Sequence, residues 1–299
     1  MSAIIAPFKG TELFNTASFN NRISQINTGF SYVSNPNLLD NWRFQIWQRY
    51  SGSYSGVPNV RYVLDRWIIT SSNGNITSNL TKATPYGGIK NATGPNCRIT
   101  QRLENAAQFN GMTLTLSMLK NTGLYTSTKV ANGWNDTADI FGFFASSVAW
   151  LNAGETILAA KLELGSTQTL AHQEGNKWVL NEIPDYGEQL RRCLRYDYIL
   201  GNASQNCPIG IGTAYSNDGL ICVIQLPEYM RTNPAVTLSG GVQIRFSATQ
   251  ILTATSVLNY GFSGDKVQLY FPGLSGLTPG QSCDLYTQIG SRLEFNSNL

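Results

Sequence analysis

Charged side chains are scarce in this chain. Lys, Arg, Asp and Glu make up 13% of its 299 residues, against roughly 25% in ordinary soluble proteins. The net charge is only +3, and no run of Lys or Arg is longer than the pair Arg191-Arg192. Because nucleic-acid binding needs a basic stripe that neutralises phosphates, the sequence predicts a protein with no nucleic-acid partner.

Histidine is almost absent, and the cysteines are few and odd in number. His172 is the single histidine, which excludes a multi-histidine zinc site and argues against Ser-His-Asp or Cys-His catalysis. The five cysteines include no CxxC pair, which favours reduced, buried thiols over a disulfide framework. No nucleotide-binding, nucleophile-elbow or zinc-protease motif occurs, so the sequence predicts no cofactor, no metal and no enzyme.

Long apolar runs are also missing. None approaches the about 20 residues that a helix needs to span a bilayer, so no membrane insertion is expected. The N-terminal segment Met1–Pro7 has neither a basic start nor a long apolar core, which argues against a signal peptide. We therefore expect a protein that folds and assembles in a cytoplasm.

Short alternating runs are what the chain does contain. Apolar residues alternate with polar ones over 112–118 and 156–164, which is typical of strands with one buried face. The run 62–69 is apolar on both faces and predicts a central strand. Breaks rich in Gly and Asn, such as Ser72–Asn75 and Tyr86–Gly88, separate the runs. This pattern predicts an all-β fold of the jelly-roll or β-sandwich type.

The chain divides into four segments. Residues 1–36 read as an extended N-terminal arm, either a disordered tail or a segment ordered by a docking partner. Residues 37–183 predict the first β-domain, and residues 200–299 predict a smaller β-sandwich domain. The linker 184–199 carries helical spacing of its apolar residues and allows one short helix. The arm has a short apolar stripe of heptad-like spacing, formed by Phe19, Ile23, Ile26 and Phe30.

Several short motifs in order support a family resemblance. Residues Leu38–Trp42 read Leu-Leu-Asp-Asn-Trp, Gln48-Arg49 follows, and Tyr62–Trp67 has the pattern Tyr-x-x-Asp-Arg-Trp. These motifs resemble those of a β-sandwich module in tail-fibre and appendage proteins of bacteriophages and prophages. The likeness extends over about residues 37–299 through further strand-like and turn-like stretches at 98–104, 111–117, 160–166, 186–196, 227–234 and 292–295.

The resemblance implies a structural protein of a virion. The first domain would resemble a carbohydrate-binding jelly roll, and the chain would form a homotrimer, as such proteins commonly do. Residues 1–36 would dock to other virion proteins, and the fold would adhere to host cell-surface glycans. A purely structural head decoration or collar protein without a ligand is the first alternative.

Aromatic and amide side chains in loops are the candidates for glycan binding, because flat rings pack on the C–H faces of sugars while polar groups bond their hydroxyls. One set of candidates comprises Trp134, Asp136, Asn132, Tyr125 and Tyr86. The alternative for Trp134 is packing inside its own domain. A second set lies in the turn-like stretch 215–219 and comprises Tyr215, Asn217 and Asp218. The alternative for this set is an ordinary hairpin turn.

Other polar residues predict structural roles. Asp65, Arg66 and Trp67, together with Arg102 and Glu104, predict buried ion pairs that hold the sandwich together. Glycoside hydrolysis, the enzymatic alternative, needs two carboxylates roughly 5–10 Å apart, and nothing in the spacing selects a pair. The available carboxylates are Asp136, Asp139, Glu155 and Asp218. The two aspartates of this set at 136 and 139 lack the spacing of an EF-hand calcium loop.

Overall fold

The computed structural model describes residues 34–50, 53–144, 150–201 and 203–298. Within these ranges nearly all regular structure is antiparallel strand, so the predicted all-β fold is confirmed. The regular helices in the same ranges are α1 (Ile140–Phe144), α2 (Tyr186–Leu194) and a 3₁₀-helix at Ala106–Phe109. The predicted arm lies outside the described residues except for its last three, 34–36.

The strands are short and closely spaced, as the alternating runs predicted. In the described ranges they are β1 Ser53–Leu64, β2 Trp67–Thr84, β3 Gly87–Thr93, β4 Cys97–Thr100, β5 Arg102–Glu104, β6 Thr113–Lys120, β7 Gly123–Val130, β8 Thr137–Asp139, β9 Trp150–Leu151, β10 Thr156–Leu164, β11 Ala171–Glu174, β12 Lys177–Leu180, β13 Asp197–Leu200, β14 Cys207–Ala214, β15 Leu220–Gln225, β16 Ala235–Ser239, β17 Val242–Arg245, β18 Ile251–Ala254, β19 Leu258–Ser263, β20 Lys266–Phe271, β21 Ser282–Thr287 and β22 Arg292–Asn296.

Two large sheets dominate the described part of the chain. One has the order β7-β6-β10-β3-β2-β4-β9, with β1 pairing to β2. The other has the order β18-β17-β21-β14-β15-β20-β19. A three-stranded sheet, β13-β22-β16, and two-stranded sheets β11-β12 and β5-β8 complete the set.

The chain forms two compact units that interleave along the sequence. Among the described residues, the first unit comprises those within 34–45, 55–60 and 69–184, and the second comprises those within 46–54, 61–68 and 185–298. The sequence analysis placed the two short insertions, 46–54 and 61–68, in the first domain. The structure groups them instead with residues 185–298: Arg49 of the first insertion bonds Asp197 and Glu294, and Arg66 of the second contacts the Tyr196 ring.

A tight turn interrupts the run 62–69. Strand β1 ends at Leu64 and strand β2 begins at Trp67, so Asp65 and Arg66 form the connection between two paired strands. The prediction of one continuous central strand was therefore wrong. Arg66 has a φ of 70°, a left-handed conformation that non-glycine residues seldom adopt. Its guanidinium lies 3.5 Å from the centroid of the Tyr196 ring, a cation–π contact that favours this conformation.

The central strands of the first unit are buried on both faces. Apolar residues of β6 and β10 fill one face, and polar residues of the same strands are also fully buried on the other face. The Lys161 ammonium lies 3.1 Å from Glu182 and 4.0 Å from Glu163, and Glu163 accepts a hydrogen bond of 2.7 Å from the Thr169 N–H. Lys161 and Glu163 are thus both paired, which avoids leaving an uncompensated charge in the interior of the unit.

The second unit is a β-sandwich. Its apolar core includes Leu269 and Leu285 of the seven-stranded sheet and Leu293 and Phe295 of the three-stranded sheet. Alternate residues of β20 and β21 point into this core, so the remaining residues of these strands form the outer face of the seven-stranded sheet. That outer face carries the aromatic residues described below.

Helix α2 begins where the linker prediction allowed a helix. The Asp185 side chain accepts a hydrogen bond of 2.7 Å from the Glu188 N–H and caps the first turn. Glu188 also pairs with Arg191 one turn later, and Cys193 lies on the buried face of the helix. Among the described residues, no helix is both long and apolar enough to cross a membrane.

Candidate functional site

Trp134 lies inside the first unit rather than on its surface. Only 8% of the residue is exposed, and its ring meets the edges of Phe143 and Phe109 at centroid distances of 4.9 and 6.3 Å. The Asn110 side chain bonds both the N–H and the carbonyl of Trp134. A sugar needs an open ring face, so the glycan role predicted for Trp134 is wrong and the packing alternative describes it.

The other first-domain candidates are exposed but dispersed. Asn132 and Asp136 lie in the β7–β8 connection. This connection starts beside Met112, because the N–H of Ala131 donates a hydrogen bond to the Met112 carbonyl. Tyr125 pairs with Met118 near the opposite end of the β6–β7 hairpin. The five-residue offset along β7 between Tyr125 and Val130 corresponds to roughly 17 Å.

Tyr86 is separate from both groups. It lies in the turn between β2 and β3 and is highly exposed. Strands β6 and β10 lie between β3 and the strand of Tyr125, a separation of roughly 14 Å at ordinary strand spacing. The structure therefore does not assemble these candidates into one sugar site.

The second candidate set does lie in a hairpin turn. Residues 215–219 connect β14 to β15, and the N–H of Tyr215 donates to the Gly219 carbonyl at 2.9 Å. The Ser216 hydroxyl donates to the Asp218 carboxylate at 2.7 Å. Tyr215, Asn217 and Asp218 are all exposed, so their side chains are open to a ligand.

A neighbouring loop holds this turn in place. The N–H of Leu274 donates to the Asp218 carbonyl at 2.9 Å, and the N–H of Leu277 donates to the Asn217 carbonyl at 3.3 Å. Leu274 and Leu277 are themselves buried in the core of the second unit. The backbone of the turn is therefore fixed before any ligand arrives, which lowers the entropy cost of binding.

Two tyrosines extend the exposed surface beside the turn. The rings of Tyr260 and Tyr270 lie 5.7 Å apart with an angle of 37° between their planes. A Cβ added at Gly219 would lie 2.2 Å from the Tyr270 hydroxyl, so this ring lies directly on the turn. Tyr260 is 59% exposed. We refer to the turn 215–219 together with Tyr260 and Tyr270 as the tip site.

The sequence analysis missed Tyr260 and Tyr270. A signal was present, because Ser263–Asp265 reads as a hairpin turn and pairing the flanking strands places the two tyrosines near each other. In the structure, Tyr270 pairs with Leu258, and an irregularity after Asn259 brings Tyr260 to the same face. If pairing continued without the irregularity from the turn at Ser263–Asp265, Tyr260 would lie opposite Leu269. Leu269 points into the core, so the Tyr260 ring would then lie on the opposite face of the sheet from Tyr270.

Trp178 is a second exposed aromatic that the sequence analysis did not select. It is 38% exposed and pairs with Gln173 in the β11–β12 hairpin. In the same hairpin His172 contacts Asn181 at 2.5 Å and Glu174 at 2.9 Å. The hydrogen bonds to Glu174 and Asn181 raise the pKa of His172, so the single histidine has a local structural role.

The strongest polar cluster of the second unit surrounds Arg49. Its guanidinium donates to Asp197 at 2.6 Å and to Glu294 at 2.8 and 3.1 Å. Asp65 lies in the same cluster and accepts hydrogen bonds of 3.1 and 3.3 Å from the backbone and side chain of Gln48. We refer to Arg49, Asp65, Asp197 and Glu294 as the Arg49 cluster.

The predicted structural residues behave differently from one another. Asp65, Arg66 and Trp67 are buried, as a structural role requires. Arg102 in β5 is exposed, and Glu104 is only partly buried. The prediction that Arg102 and Glu104 take part in buried ion pairs is therefore wrong. Alternation along the short strand β5 turns Leu103 inward, and both charged neighbours then point away from the core.

Two carboxyl groups of the Arg49 cluster have raised pKa values. Burial raises the pKa of Asp65 to about 6, although the Gln48 hydrogen bonds and the Arg49 charge oppose this shift. Burial also raises the pKa of Asp197 well above its usual value, and the neighbouring Asp65 and Glu294 carboxylates add to this effect. When Asp197 takes up a proton, its carboxyl can donate a hydrogen bond to Asp65. Asp65 and Asp197 are each 1% exposed, too buried to reach a polysaccharide.

The carboxylates proposed for the enzymatic alternative do not form one pair. Glu155 lies 3.2 Å from the Lys120 ammonium, and Asp139 accepts a hydrogen bond from Thr100. Asp136 lies in the exposed β7–β8 connection, and Asp218 lies in the tip site. Within the described ranges, no group of three or more His, Cys, Asp or Glu side chains is arranged to hold a metal ion.

The reactivity of the cysteine thiols tests which of these side chains are buried. Burial raises the pKa of Cys97 and Cys222 to about 12 and the pKa of Cys283 to about 11, and Cys193 is also buried. A thiol of pKa 12 is ionised in only about one molecule in ten thousand near pH 8. We expect one fast-reacting thiol, Cys207, when the native chain is titrated with an aromatic disulfide reagent. Fast reaction that persists in Cys207→Ser would contradict this.

Comparison with known proteins gives no family assignment. The chain matches no protein-family model, no curated protein and no solved structure. The tip site combines two exposed rings, Tyr215 and Tyr260, with the exposed polar side chains of Asn217 and Asp218.

Proposed function

We propose that this chain is a structural protein of a virion, a bacteriophage tail fibre or a neck or head appendage, that adheres to glycans on the host cell surface. The observation that carries the proposal is the tip site, where the half-buried Tyr270 ring lies on a rigid polar turn and the exposed Tyr260 ring packs beside it. The motifs at 38–42, 48–49 and 62–67 support the virion part of the proposal through their resemblance to appendage proteins.

The chemistry of the tip site suits a sugar. Tyr260 offers an exposed ring to the C–H face of a pyranose, and the tilted Tyr270 ring supports it from the side. Asn217 supplies both donors and acceptors, and Asp218 supplies acceptors, for the hydroxyl groups around the ring. These groups are exposed beforehand, so a sugar displaces only water when it binds.

Multiple copies would make a weak site effective. A single shallow sugar site on an open sheet face binds weakly because it buries little surface. A homotrimer presents three such sites, and a virion carries several trimers. Linking sites in this way raises the overall affinity by roughly two to four orders of magnitude. The low charge of the chain also limits nonspecific attraction to other molecules.

Replacing Tyr260 with alanine tests the proposal. We expect glycan binding on an array, measured with the multimerised full-length chain, to fall by about fivefold, because an exposed stacking ring contributes about 1 kcal/mol. Tyr229→Ala is the matched control. Tyr229 is 65% exposed in the same unit, but it lies against Gly264 at the opposite end of the β19–β20 hairpin.

The outcomes separate the alternatives. Equal losses in Tyr260→Ala and Tyr229→Ala would show that the tip site is not the binding surface. A chain that assembles into particles but binds no glycan would instead be a head decoration or collar protein, and the adhesion proposal would be withdrawn.

A further inference from the structure

We infer that the tip site selects uncharged sugar residues and rejects acidic ones such as uronic and sialic acids. This inference rests on the proposed function, because it specifies the ligand of the same site. It follows from the distribution of charge around the tip site.

The tip site and its supports are almost free of charge. Residues 246–264, which include β18 and β19, contain no Lys, Arg, Asp or Glu. Residues 267–283, which include most of β20 and the loop that holds the turn, contain none either. The remaining part of the site, the turn 215–219, contributes a single charged residue, Asp218. The one fixed charge in the site is therefore negative.

The nearest cations on the same sheet are distant. Lys266 lies at the start of β20, paired with Ser263, and the four-residue offset to Tyr270 corresponds to roughly 13 Å. Arg245 lies on β17, which is two strand spacings, roughly 10 Å, from β14, the strand that leads into the turn, and roughly 19 Å from β20, the strand of Tyr270. Arg245 also covers the Tyr286 ring. These separations exceed the screening length of about 8 Å at physiological salt.

This arrangement penalises an acidic ligand. A carboxylate or sulfate on the sugar would lose water without gaining a cationic partner, and desolvating an unpaired charge is costly. It would also approach the Asp218 carboxylate, whose position is fixed by the Ser216 hydroxyl. A neutral hexose or an N-acetylated hexosamine meets neither penalty, and its hydroxyls donate to Asp218 and to the Asn217 side chain.

Substitutions at Asp218 provide the test. The probes are neutral and acidic oligosaccharides that share one backbone and differ only in a C6 hydroxymethyl or carboxylate group. We expect the wild-type chain to bind the neutral probe about fivefold more tightly than the acidic one, because two like charges about 4 Å apart in water repel by about 1 kcal/mol. Asp218→Asn should narrow this ratio by several-fold, and Asp218→Lys should bring the acidic probe close to the neutral one, with strong salt dependence.

Two controls make the result specific. Asp136→Asn changes the net charge by the same amount at an exposed residue of the first unit, and it should leave the ratio unchanged. Within the described part of the chain, the Asp218 side chain accepts a hydrogen bond from the Ser216 hydroxyl, whereas its backbone carbonyl holds the loop through Leu274. The Asp218 variants should therefore keep their thermal unfolding midpoint.

The failure of this inference is distinguishable from the failure of the proposed function. Equal or tighter binding of the acidic probe, abolished by Tyr260→Ala, would overturn the charge selection and leave adhesion at the tip site intact. Binding of either probe that Tyr260→Ala does not weaken would overturn both the site and its selectivity. Absence of binding to any glycan would overturn the proposed function and this inference with it.

Discussion

Replacing Arg49 with methionine is expected to destabilise the second unit by about 3–5 kcal/mol, the cost of removing one partner from a buried ion pair. Arg49 is 8% exposed, and its guanidinium is the cation that bonds both Asp197 and Glu294. Methionine fills a similar volume but leaves a group of buried carboxyls without that cation. We expect a large fall in the urea midpoint and faster hydrogen exchange in β13 and β22.

The position of Arg49 explains why the effect should be large. Asp197 begins β13, and Glu294 lies in β22, its partner strand in the three-stranded sheet. Burial alone would lower the pKa of Arg49, but the charges of Asp197 and Glu294 outweigh it and leave this pKa raised. The guanidinium therefore stays charged and links the segment 46–54 to the C-terminal sheet.

Arg191→Met is the matched control for this prediction. Arg191 also pairs with a carboxylate, Glu188, at 2.9 Å, but both side chains are at least half exposed. Solvent screens such surface pairs, so the urea midpoint should change little. Similar losses in the two variants would show that the Arg49 cluster contributes no more than a surface ion pair does.

The Arg49 cluster also shows what the sequence could not predict. Arg49 bonds residues 148 and 245 positions away in the sequence, and pairing at such distances leaves no local pattern. The Gln48-Arg49 motif is part of the resemblance to phage appendage proteins, but no neighbouring residue in the sequence identifies Asp197 or Glu294 as partners of Arg49. Grouping of the segment 46–54 with the C-terminal strands could be seen only in three dimensions.

Local patterns did predict local structure. Alternation predicted the all-β fold, and the composition of 215–219 predicted a turn that the structure contains. Alternation failed at residues 62–69, because Asp65 and Arg66 turn without the Gly or Asn that normally marks a hairpin. The Arg66–Tyr196 contact favours that turn, and it again depends on a residue far away in the sequence.

Exposure of aromatic rings was the least predictable feature of the candidate site. Trp134 lies in a polar stretch of sequence, yet Phe109 and Phe143 bury its ring. Tyr260 and Tyr270 lie in strands with ordinary alternation, yet an irregularity in pairing brings their rings together on the outer face. Composition identified the turn of the tip site, but only the strand register identified the rings beside it.

The second large effect is expected from pH. Asp65 has a folded-state pKa of about 6, above the value of about 3.9 for an unfolded chain. A raised pKa means that the folded state holds its proton more tightly than the unfolded state does. This contribution to stability is therefore complete below about pH 4 and is lost as the pH rises through about 6. Because the pKa of Asp65 is about two units higher in the folded state than in the unfolded state, this contribution to the free energy of unfolding is roughly 3 kcal/mol.

Asp197→Asn should weaken the pH dependence of stability. Asparagine cannot ionise, so the variant loses the part of the dependence that comes from the raised pKa of Asp197 itself. Its amide can donate to Asp65 as protonated Asp197 does, and Asp65 stays buried, so the part that comes from Asp65 should remain. The wild-type unfolding midpoint should fall by several degrees between about pH 4 and pH 8, whereas the Asp197→Asn midpoint should fall less and exceed the wild-type value near pH 8. Asp218→Asn removes an exposed carboxylate from the same unit and should retain the wild-type slope. If Asp197→Asn also retained that slope, the raised pKa of Asp197 would not contribute to it, and the pH dependence would have to originate elsewhere in the chain.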